Sequence, residues 1–437
     1  MKDPRKPLTD FLRRNRMLAE AMDIGDCCRA YGEEMTRGLE GRPSSLPMIP
    51  TYIETARSVS RGEKVVALDV GGTNLRVARV SFDAQGKPLI EDLVRHRIPG
   101  IDEALERDEF FRAMAEFVLP VARGVDRIGF CFSFPAEITP EKDGKLIQFT
   151  KEIKARGVEG QLVGRSLGRA LAAVGGREPS RIVVINDTVA TLLAGRNALP
   201  GRHFDDFIGL VCGTGLNAAY VERNALITKT AGLDPDGSQI VNTESGSFAG
   251  WPRGRVDDEF DATMANPGKY RNEKAISGAY LGALCFFAVR SAAKVGLLSP
   301  QASKELDRVP SLSTRELNDF LNYPDTPSNP LGVVCGRLPS EDARSIYVIC
   351  DTIVERAALL VAVDLGAILL KTDSGRDPRF PVCITVDGTT FWQLRTFRSR
   401  VEHHMRRLLR AGQERAWEIT AVEDAPLLGS AIAALTN

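Results

Sequence analysis

Two segments with the same layout constrain the fold of this chain more than any other feature of its sequence. Residues 65–82 read VVALDVGGTNLRVARVSF, in which two runs rich in β-forming residues flank a Gly-Gly-Thr-Asn turn. Residues 208–222, IGLVCGTGLNAAYVE, repeat the order of apolar strand, turn built on Gly and Thr with Asn close behind, and second strand. Both segments have the pattern of a β-hairpin. Their repetition predicts two related lobes that face one another.

Strands and helices alternate along much of the remaining chain. The apolar runs at residues 128–135 (IGFCFSFP) and 183–188 (VVINDT) predict buried strands. The segments GAYLGALCFFAVR and ERAALLVAVDLGAILLK are long, apolar and rich in small residues, so they predict buried helices. This alternation is typical of the α/β class.

The two ends of the chain and one late segment add three further predictions. The first forty residues place apolar side chains roughly on one helical face, which predicts a helix. Residues 382–392, VCITVDGTTFW, predict a strand, a glycine turn and a second strand. The final segment, APLLGSAIAALTN, predicts a Gly-Ser turn that leads into a short helix.

The composition argues against several classes of protein. Lys plus Arg and Asp plus Glu both number 57 among the 437 residues, so the chain lacks the basic excess of nucleic-acid binders. A phosphate ligand remains compatible with zero net charge, because backbone amides bind phosphate. No apolar run approaches the length of a membrane span, and the N-terminal segment lacks the apolar core of a secretory signal. The eight Cys form no C-x-x-C pair, which disfavours a zinc cluster and indicates reduced thiols in a cytoplasmic protein.

The turn Asp69-Val-Gly-Gly-Thr-Asn74 has two interpretations of equal weight. It is either a plain hairpin turn or a phosphate-binding turn, in which two glycines let the backbone N–H groups approach a ligand. It matches neither a Walker loop nor the G-x-G-x-x-G fingerprint. At the end of its strand, Asp69 is a candidate to hold hydrated Mg²⁺ through water.

The second turn, Gly213-Thr-Gly-Leu-Asn217, is better explained as an ordinary turn when taken alone. As a second copy of the first pattern it gains weight as a phosphate site. Two such turns on opposing lobes would clamp the β- and γ-phosphates of ATP from both sides.

Asn186-Asp187-Thr188 ends an apolar strand and precedes a helical stretch. For an arbitrary Asn-Asp-Thr, helix capping is the better explanation. The functional alternative is a carboxylate at the carboxyl edge of a strand, where α/β proteins place ligand sites. A carboxylate there accepts the proton of an attacking hydroxyl, as the aspartate of protein kinases does.

Further polar residues suit a polyhydroxylated ligand, although each alone is better explained as a surface residue. Ser133 and the pair Thr150-Lys151 flank a polar stretch, PAEITPEKDGKLIQ. Glu244 follows Asn-Thr after a strand-like run, and Glu273 precedes an apolar helix. Carboxylates and amides form paired hydrogen bonds with vicinal hydroxyls, and those to a charged group are the strong ones.

These motifs, taken together and in this order, resemble the hexokinase family of the actin/heat-shock-70/sugar-kinase fold over nearly the whole chain. LPMIPTYIETARSVSRGEKVVALDVGGTNLRVARV is similar to the family's segment with the first phosphate motif, and FSFPAEITPEKDGKLIQFTKEIKARGVEG to its sugar-binding signature. VVINDTVATLLAG resembles the strand with the catalytic aspartate, and IGLVCGTGLNAAY the second phosphate motif. IVNTESGSFAG and NPGKYRNEKAISGAYLGAL resemble the blocks with the two sugar-binding glutamates.

The resemblance implies a fold and a set of site residues. The fold is α/β, with two ribonuclease-H-like lobes around a deep cleft: a small lobe of residues 61–186 plus 425–437 and a large lobe of residues 1–60 plus 187–424. The implied catalytic residues are Asp187, as general base on the sugar 6-hydroxyl, and Lys151. The implied sugar-binding residues are Ser133, Thr150, Lys151, Asn186, Asp187, Asn217, Glu244 and Glu273. The implied nucleotide-binding residues are Asp69, Gly71, Gly72, Thr73, Asn74, Arg76, Gly213, Thr214, Gly388, Thr389, Gly429 and Ser430.

Three departures from the family pattern concern the two ligands. The family's glycine-rich adenosine segment is ProLeuLeuGlySerAla here, poorer in glycine, which leaves the nucleotide-base preference open. Ser245 stands where the family has an aromatic residue after Asn-Thr-Glu, and Phe149 where it has Trp before Thr-Lys. Both changes bear on sugar selectivity.

The resulting expectation is an ATP- and Mg²⁺-dependent kinase of the 6-hydroxyl of a hexose, with D-glucose as the expected substrate, feeding glycolysis. The alternatives are a non-catalytic sugar sensor on the same fold and a kinase that prefers mannose, fructose or an amino sugar. A chaperone-type or filament ATPase ranks lower, because it needs only the phosphate hairpins. We expect a cytoplasmic monomer or homodimer without nucleic-acid or membrane partners.

Overall fold

The structure is a computed structural model that describes residues 6–54, 58–72, 74–149, 153–199, 201–410 and 412–437. The strands within these residues are β1 (Ile49–Pro50), β2 (Val65–Gly71), β3 (Asn74–Phe82), β4 (Pro88–Arg97), β5 (Leu105–Glu106), β6 (Arg127–Phe132), β7 (Ala136–Ile138), β8 (Gly144–Leu146), β9 (Ala155–Arg156), β10 (Arg181–Ile185), β11 (Phe207–Cys212), β12 (Leu216–Arg223), β13 (Ser238–Asn242), β14 (Val382–Asp387) and β15 (Trp417–Thr420).

The helices surround these strands. They are α1 (Lys6–Arg14), α2 (Ile24–Leu39), α3 (Arg107–Ala122), α4 (Val163–Ala173), α5 (Asp187–Ala198), α6 (Arg255–Ala262), α7 (Arg271–Ile276), α8 (Leu281–Lys294), α9 (Pro300–Leu306), α10 (Thr314–Asn322), α11 (Pro330–Cys335), α12 (Ser340–Thr372), α13 (Thr389–Gln393), α14 (Phe397–Leu408) and α15 (Ala425–Thr436). Short 3₁₀ turns occupy Ala19–Ala21, Asn224–Leu226 and Ser245–Ser247.

Two sheets with the same topology form the centres of the two lobes. The small-lobe sheet has the order β10-β6-β2-β3-β4, and the large-lobe sheet has the order β1-β13-β12-β11-β14-β15. When the additional strand β1 is left aside, the first strand along the chain in both sheets pairs antiparallel with the second and parallel with the fourth, and the fifth lies beside the fourth. The repeated hairpin pattern therefore correctly predicted two related α/β lobes.

The predicted hairpins and buried strands are confirmed, and two late elements differ from the prediction. The second strand predicted after Gly388 is wrong: the chain turns at this glycine (φ 118°) into the short helix α13. The Gly-Ser turn predicted at the end of the chain is also wrong, because Gly429 and Ser430 lie inside α15, which begins at Ala425. The predicted N-terminal helix is interrupted between α1 and α2.

Helices α5 and α15 lie between the two sheets. A glycine lies at the closest approach of the two helices to each other, and another where each helix approaches a sheet. A Cβ atom added to Gly429 would lie 1.9 Å from Ala190 O on α5, and one added to Gly129 on β6 would lie 1.8 Å from Ser430 O. A Cβ on Gly209 of β11 would lie 2.3 Å from Thr188 O. These backbones approach so closely that only glycine fits at the three contacts.

We expect Gly429→Ala to lower the melting temperature and reduce the free energy of unfolding by roughly 1–3 kcal/mol, the usual range for overpacking a core. The reason is that Ala190 O and C lie 1.9 and 2.4 Å from the new methyl group, and neither backbone atom can rotate away. The matched control is Gly32→Ala in α2, where no atom lies within 4 Å of the added Cβ. The control should gain stability, because alanine is the better helix former. Equal melting temperatures for the two variants in a thermal unfolding scan would contradict the close crossing.

The large-lobe core is built around α12, a helix of 33 residues whose middle is almost continuously buried. All eight cysteines are buried, and none of them forms a disulfide bond with another. Over the residues that the structure describes, no helix combines the length and apolarity that a membrane span requires.

Candidate active site

Three strand ends of the small lobe meet at one edge of its sheet, on the side of the cleft. β2, β6 and β10 are parallel, with Asp69 beside Cys131 and Cys131 beside Ile185. Polar residues follow two of these strands, because Ser133 lies after β6 and Asn186 after β10. Parallel strands bring their carboxyl ends to the same edge, where α/β proteins bind ligands.

Asp187 is the first residue of α5, and its neighbours cap that helix. The Asn186 side chain accepts a hydrogen bond from Thr188 N at 2.9 Å, so the capping interpretation of this motif is confirmed for Asn186. Asp187 Oδ1 accepts from Thr188 Oγ1 at 3.2 Å, and Thr191 Oγ1 donates to Asp187 O at 2.8 Å. The positive end of the helix dipole favours a carboxylate at this position. Capping and an acidic group at the cleft therefore coexist.

Asn217 on β12 connects the polar residues of both lobes. Its amide Nδ2 lies 2.7 Å from Asn242 Oδ1, and 3.4 Å from both Asn186 Oδ1 and Glu244 Oε1. Its Oδ1 accepts from Ala218 N at 2.8 Å and from Ser245 N at 3.3 Å. The amide is thus fixed at both ends. It brings the strand end of the small lobe next to a glutamate of the large lobe.

Glu244 lies in a strained and half-buried position. Its backbone has φ 56°, in the left-handed region that non-glycine residues rarely adopt. Asn242 Nδ2 donates to its Oε1 at 2.8 Å. Burial is the main cause that raises the pKa of Glu244 to about 7, and the charges of Asp187 and Glu273 add to it. Three predicted site carboxylates therefore lie close enough to influence one another electrostatically.

Glu273 on α7 contacts the turn between β11 and β12. Its Oε2 accepts a hydrogen bond from Leu216 N at 2.9 Å. The same turn is held from the segment after α7, because Gly278 N donates to Gly213 O at 2.7 Å and Ala279 N donates to Thr214 O at 3.2 Å. A predicted sugar ligand and the second predicted phosphate turn are therefore parts of one hydrogen-bonded unit.

Arg76 on β3 forms ion pairs with two aspartates. Its Nη2 lies 2.7 Å from Asp69 Oδ2, and its Nη1 lies 2.6 Å from Asp424 Oδ1, immediately before α15. Burial raises the pKa of Asp69, while the guanidinium of Arg76 opposes that rise. The first phosphate turn is thereby tied to the start of the C-terminal helix.

Asp387 at the end of β14 is the acidic residue of the large-lobe sheet that faces this edge. Burial is the first cause that raises its pKa, and the charges of Asp187 and Asp69 contribute. Cys131 responds to the same two charges, since burial and then Asp69 and Asp187 raise its pKa well above the ordinary value. The three aspartates thus share one region between the sheets.

Comparison with known proteins identifies the family. Two sequence profiles described as hexokinase match residues 14–197 and 207–436. Hexokinase-1 of Oryza sativa subsp. japonica is 30% identical over 99% of this chain and 93% of its own length. The chain belongs to the hexokinase family. Hexokinase-2 of Rattus norvegicus is 30% identical over 91% of this chain, which spans 45% of the rat protein.

A solved structure extends the similarity to the fold of the hexokinase family. The hexokinase from Schistosoma mansoni complexed with glucose has a TM-score of 0.80 and 26% sequence identity, and the match covers 99% of both chains. The family and the two-lobe α/β fold are those of sugar-kinase phosphotransferases.

Within this hexokinase-family fold, most of the predicted site residues that the structure describes lie in the same region. Asn186, Asn242 and Glu244 line one small cavity together with Phe132 and Phe134 of the small lobe. The side chain of Ser133 lies against the first turn, because a Cβ on Gly71 would be 3.1 Å from Ser133 Oγ. Gly72 has φ 64°, as expected for a tight turn. Asn74 begins β3 next to this turn.

The second turn and the turn after β14 are adjacent. A Cβ on Gly213 would lie 3.1 Å from Gly388 Cα, and Thr390 Oγ1 donates to Gly213 O at 2.9 Å. Thr214 and Thr389 are exposed at this edge. Predicted site residues that lie outside the described residues are Thr73, Thr150 and Lys151.

Gly429 and Ser430 are not brought to the cleft surface. Both are buried inside α15, and Ser430 Oγ donates to Leu427 O at 2.8 Å. Their close contacts are with the protein backbone of Ala190 and Gly129. In this chain the Gly-Ser pair therefore packs the helix, and it is Asp424 at the start of α15 that reaches the first turn through Arg76.

Sequence reasoning missed three polar residues of this region: Asn242, Asp387 and Asp424. A signal existed for Asp387, because it ends an apolar strand just as Asn186 and Asp187 follow one. Asn242 also ends a strand, β13. Asp424 carried no comparable signal, since its role depends on an ion pair with a residue 348 positions away.

Proposed function

We propose that the chain is an ATP-dependent hexokinase that transfers the γ-phosphoryl group to the 6-hydroxyl of a hexose, with D-glucose as the expected substrate. The observation that supports this most is the position of Asp187 beside the amide and carboxylate cluster of Asn186, Asn217 and Glu244. A proton acceptor and a set of groups suited to vicinal hydroxyls thus lie together at one cleft edge. The glucose held by the Schistosoma mansoni hexokinase agrees with this proposal.

In the proposed sugar site, Glu244 and Glu273 accept hydrogen bonds from hexose hydroxyls, and the amides of Asn186 and Asn217 donate them. Bonds to a charged group contribute most, so the two glutamates carry most of the affinity. The fixed amide of Asn217 keeps the site polar and preorganised before the sugar arrives. Ser133 completes this set. Thr150 and Lys151 stay predicted ligands, with Lys151 also a predicted catalytic residue.

In the proposed reaction, Asp187 accepts the proton of the 6-hydroxyl as the hydroxyl oxygen attacks the γ-phosphorus of ATP in line, and the bond from that phosphorus to the β,γ-bridging oxygen breaks to release ADP. The backbone N–H groups of the two turns, at Gly71-Gly72 and Gly213-Thr214, stabilise negative charge on the transferring group. Asp187 lies at the boundary between the small-lobe strand ends and the polar cluster, which suits a group that must contact the sugar next to the phosphate. Asn74, Gly388 and Thr389 line the nucleotide side in this proposal.

The residues present fit a Mg²⁺ ion held largely through water and phosphate. Asp69 would hold the ion through water, and the charges of Asp187 and Asp69 raise the pKa of Asp387, so an added cation would relieve the repulsion among the three. In the described part of the chain, no group of three or more His, Cys, Asp or Glu side chains is arranged to hold a metal ion. Magnesium commonly keeps several waters and binds one or two carboxylates together with substrate phosphates. When bound, Mg²⁺ would neutralise charge on the β- and γ-phosphates.

The lobe limits of residues 61–186 plus 425–437 and 1–60 plus 187–424 remain our proposal for the units that move. Closure of these units on the sugar would exclude water and align the 6-hydroxyl with the γ-phosphate. The assignment to glycolysis, a cytoplasmic location and a monomeric or homodimeric state also remain predictions.

We expect hexose binding to weaken as the pH falls below about 7, with a dissociation constant that rises by up to tenfold per pH unit. The pKa of Glu244 in the free protein is about 7, and the sugar hydroxyls donate to its carboxylate form. Below that pH the neutral acid predominates, so binding must first release a proton. Calorimetric titrations in buffers of different ionisation enthalpy measure this release. Glu244→Gln, which cannot ionise, should bind more weakly and without the pH dependence; an unchanged pH profile in that variant would assign the proton to another group.

The test of the proposed function is a panel of hexoses with ATP and Mg²⁺ in a coupled assay for hexose 6-phosphate. Glucose, mannose, fructose and glucosamine are compared by kcat/KM. Turnover with any of them supports the proposed reaction, and the ranking gives the substrate. Hexose binding without phosphorylated product would instead indicate a sugar sensor. A protein that neither binds a hexose nor forms product would contradict the proposal.

A further inference from the structure

A buried aspartate lies behind the two glutamates of the proposed sugar site. Asp364 lies in the C-terminal half of α12 and is 0% exposed. Its side chain accepts hydrogen bonds from one group, the amide of Asn272, with Nδ2 at 3.1 Å from Oδ1 and 3.0 Å from Oδ2. No Lys, Arg or His among the described residues forms an ion pair with it. A buried carboxyl without a cation is unusual enough to require an explanation.

The amide of Asn272 connects this aspartate to both glutamate segments. Asn272 immediately precedes Glu273 on α7, and its Nδ2 also donates to Ser245 O at 3.2 Å. Ser245 immediately follows Glu244. One amide group, itself 0% exposed, therefore fixes the residues next to both glutamates to the same point on α12. We refer to Ser245, Asn272 and Asp364 as the amide clamp.

Both glutamate segments contain a residue with strained backbone, and the amide clamp lies between the two. Glu244 has φ 56°, and Tyr270, which precedes α7, has φ 53°. Non-glycine residues remain in the left-handed region only where surrounding contacts hold them there. The Asn272 side chain contacts Ser245, the residue after Glu244, on one side and Asp364 of α12 on the other. The amide clamp is thus placed to hold both strained segments.

Helix α2 encloses the amide clamp from the other side. The phenol of Tyr31 is 0% exposed and its ring packs on Phe248 with centroids 4.7 Å apart. Burial raises the pKa of Tyr31 well above its ordinary value, and the charge of Asp364 adds to the rise, so the two groups are neighbours. Burial likewise raises the pKa of Asp364 well above its ordinary value, while the Asn272 amide opposes the rise. Tyr31 OH and Asn272 Oδ1 have no hydrogen-bond partner among the described residues, so the bonds from Asn272 Nδ2 are the ones that fix this arrangement.

We propose that Asp364 is a positioning residue for hexose binding, which acts through the side chain of Asn272 to hold Glu244 and Glu273 in the geometry that accepts the sugar hydroxyls. Asp364 itself does not contact the sugar. The inference rests on the proposed function, since it assigns the two glutamates to the hexose. It predicts that the hexose affinity depends on a carboxyl group in the core of the large lobe.

The test is hexose binding by calorimetry and thermal unfolding of purified variants. Asp364→Leu removes both acceptors and should raise the glucose dissociation constant by about 10- to 100-fold, the size expected when one hydrogen bond between a hydroxyl and a charged group is lost. Asp364→Asn keeps one acceptor oxygen and should restore much of the affinity. Asn272→Ala cuts the clamp at its other end and should match Asp364→Leu. The two changes combined should weaken binding no further than either alone.

The matched control is Asp342→Leu on the same helix. Asp342 is also buried, and its carboxylate accepts from Ser299 N at 3.1 Å and Ser299 Oγ at 2.5 Å, away from both glutamates. This variant should lose thermal stability and keep the glucose affinity of the unaltered protein. The control separates a loss of packing in α12 from a loss of positioning.

Each outcome decides between positioning and a merely structural role. An unchanged glucose dissociation constant in folded Asp364→Leu, or fully additive effects of Asp364 and Asn272 changes, would overturn the inference. If Asp364→Leu does not fold, Asn272→Ala decides alone, because it cuts the bonds to both Ser245 O and Asp364, and an unchanged glucose dissociation constant in that folded variant would overturn the inference. An unaltered protein that binds none of the hexoses would contradict the proposed function and the inference with it, whereas normal binding with unaffected variants contradicts the inference alone.

Discussion

Asp187→Ala is expected to lower kcat for hexose phosphorylation by on the order of 10²–10⁴-fold, the usual contribution of a general base. The dissociation constant for glucose should change little, because the described sugar-site contacts are made by the amides and glutamates around it. A coupled assay for hexose 6-phosphate gives kcat, and calorimetry gives the dissociation constant. Near-normal turnover would sink the assignment of Asp187 as base.

Two further variants make that result interpretable. Asp187→Asn keeps the size and the helix-starting position of the side chain, so it removes the base with the least disturbance to α5. Asp236→Ala alters an exposed aspartate in the loop before β13 and should leave both constants unchanged. A parallel fall of kcat in Asp236→Ala would show that loss of folded enzyme, rather than of the base, explains the result.

Glu273→Ala is expected to weaken the binding of both hexose and ATP, whereas a change at Glu244 should weaken the binding of hexose alone. Loss of charge-assisted hydrogen bonds to the sugar, each worth about 1.5–3 kcal/mol, should raise the hexose KM by on the order of 100-fold. The KM for ATP should rise too, because Glu273 Oε2 also accepts from Leu216 N and so holds the second phosphate turn. Initial rates with each substrate varied in turn measure both constants.

Glu244→Ala is the comparison for that prediction. Glu244 contacts Asn242 and Asn217 but makes no described hydrogen bond to the turn at Gly213–Gly215. Its removal should therefore raise the hexose KM and leave the ATP KM nearly unchanged. Glu273→Gln keeps an oxygen for Leu216 N and should restore the ATP KM more than the hexose KM. An ATP KM that stays constant in Glu273→Ala would show that the turn is held without this carboxylate.

The local patterns of the sequence predicted the fold because they depend on nearby residues. The order of apolar and polar residues within a segment is enough to predict a hairpin or a buried strand. The second copy of the hairpin pattern, at residues 208–222, predicted a second lobe. The turn expected at Gly429-Ser430 failed for the opposite reason. Glycine is needed there for the approach of another helix, a contact between residues 239 positions apart that no local pattern reveals.

The candidate site was predictable to the extent that each residue follows a strand or a turn. Asn186, Asp187, Asn217 and Glu244 were found in this way, and the structure brings them together. Pairings across the fold were not predictable, because they depend on which elements pack together. The hydrogen bond between Asn272 and Asp364 joins residues 92 positions apart, and the sequence around neither residue indicates which residue it contacts.

The glycine contacts between the sheets set a limit on how this cleft can be redesigned. From β11 through α5 and α15 to β6, successive contacts are made by backbone against backbone, at Gly209, Gly429 and Gly129. Their spacing is set by van der Waals contact between backbone atoms, so no change of side-chain rotamer alters it. The distances between these elements at the rear of the cleft therefore stay the same when neighbouring side chains are replaced. Variants meant to accept bulkier sugars should shorten side chains at the open edge, since enlarging the rear would separate elements that carry Asp187 itself.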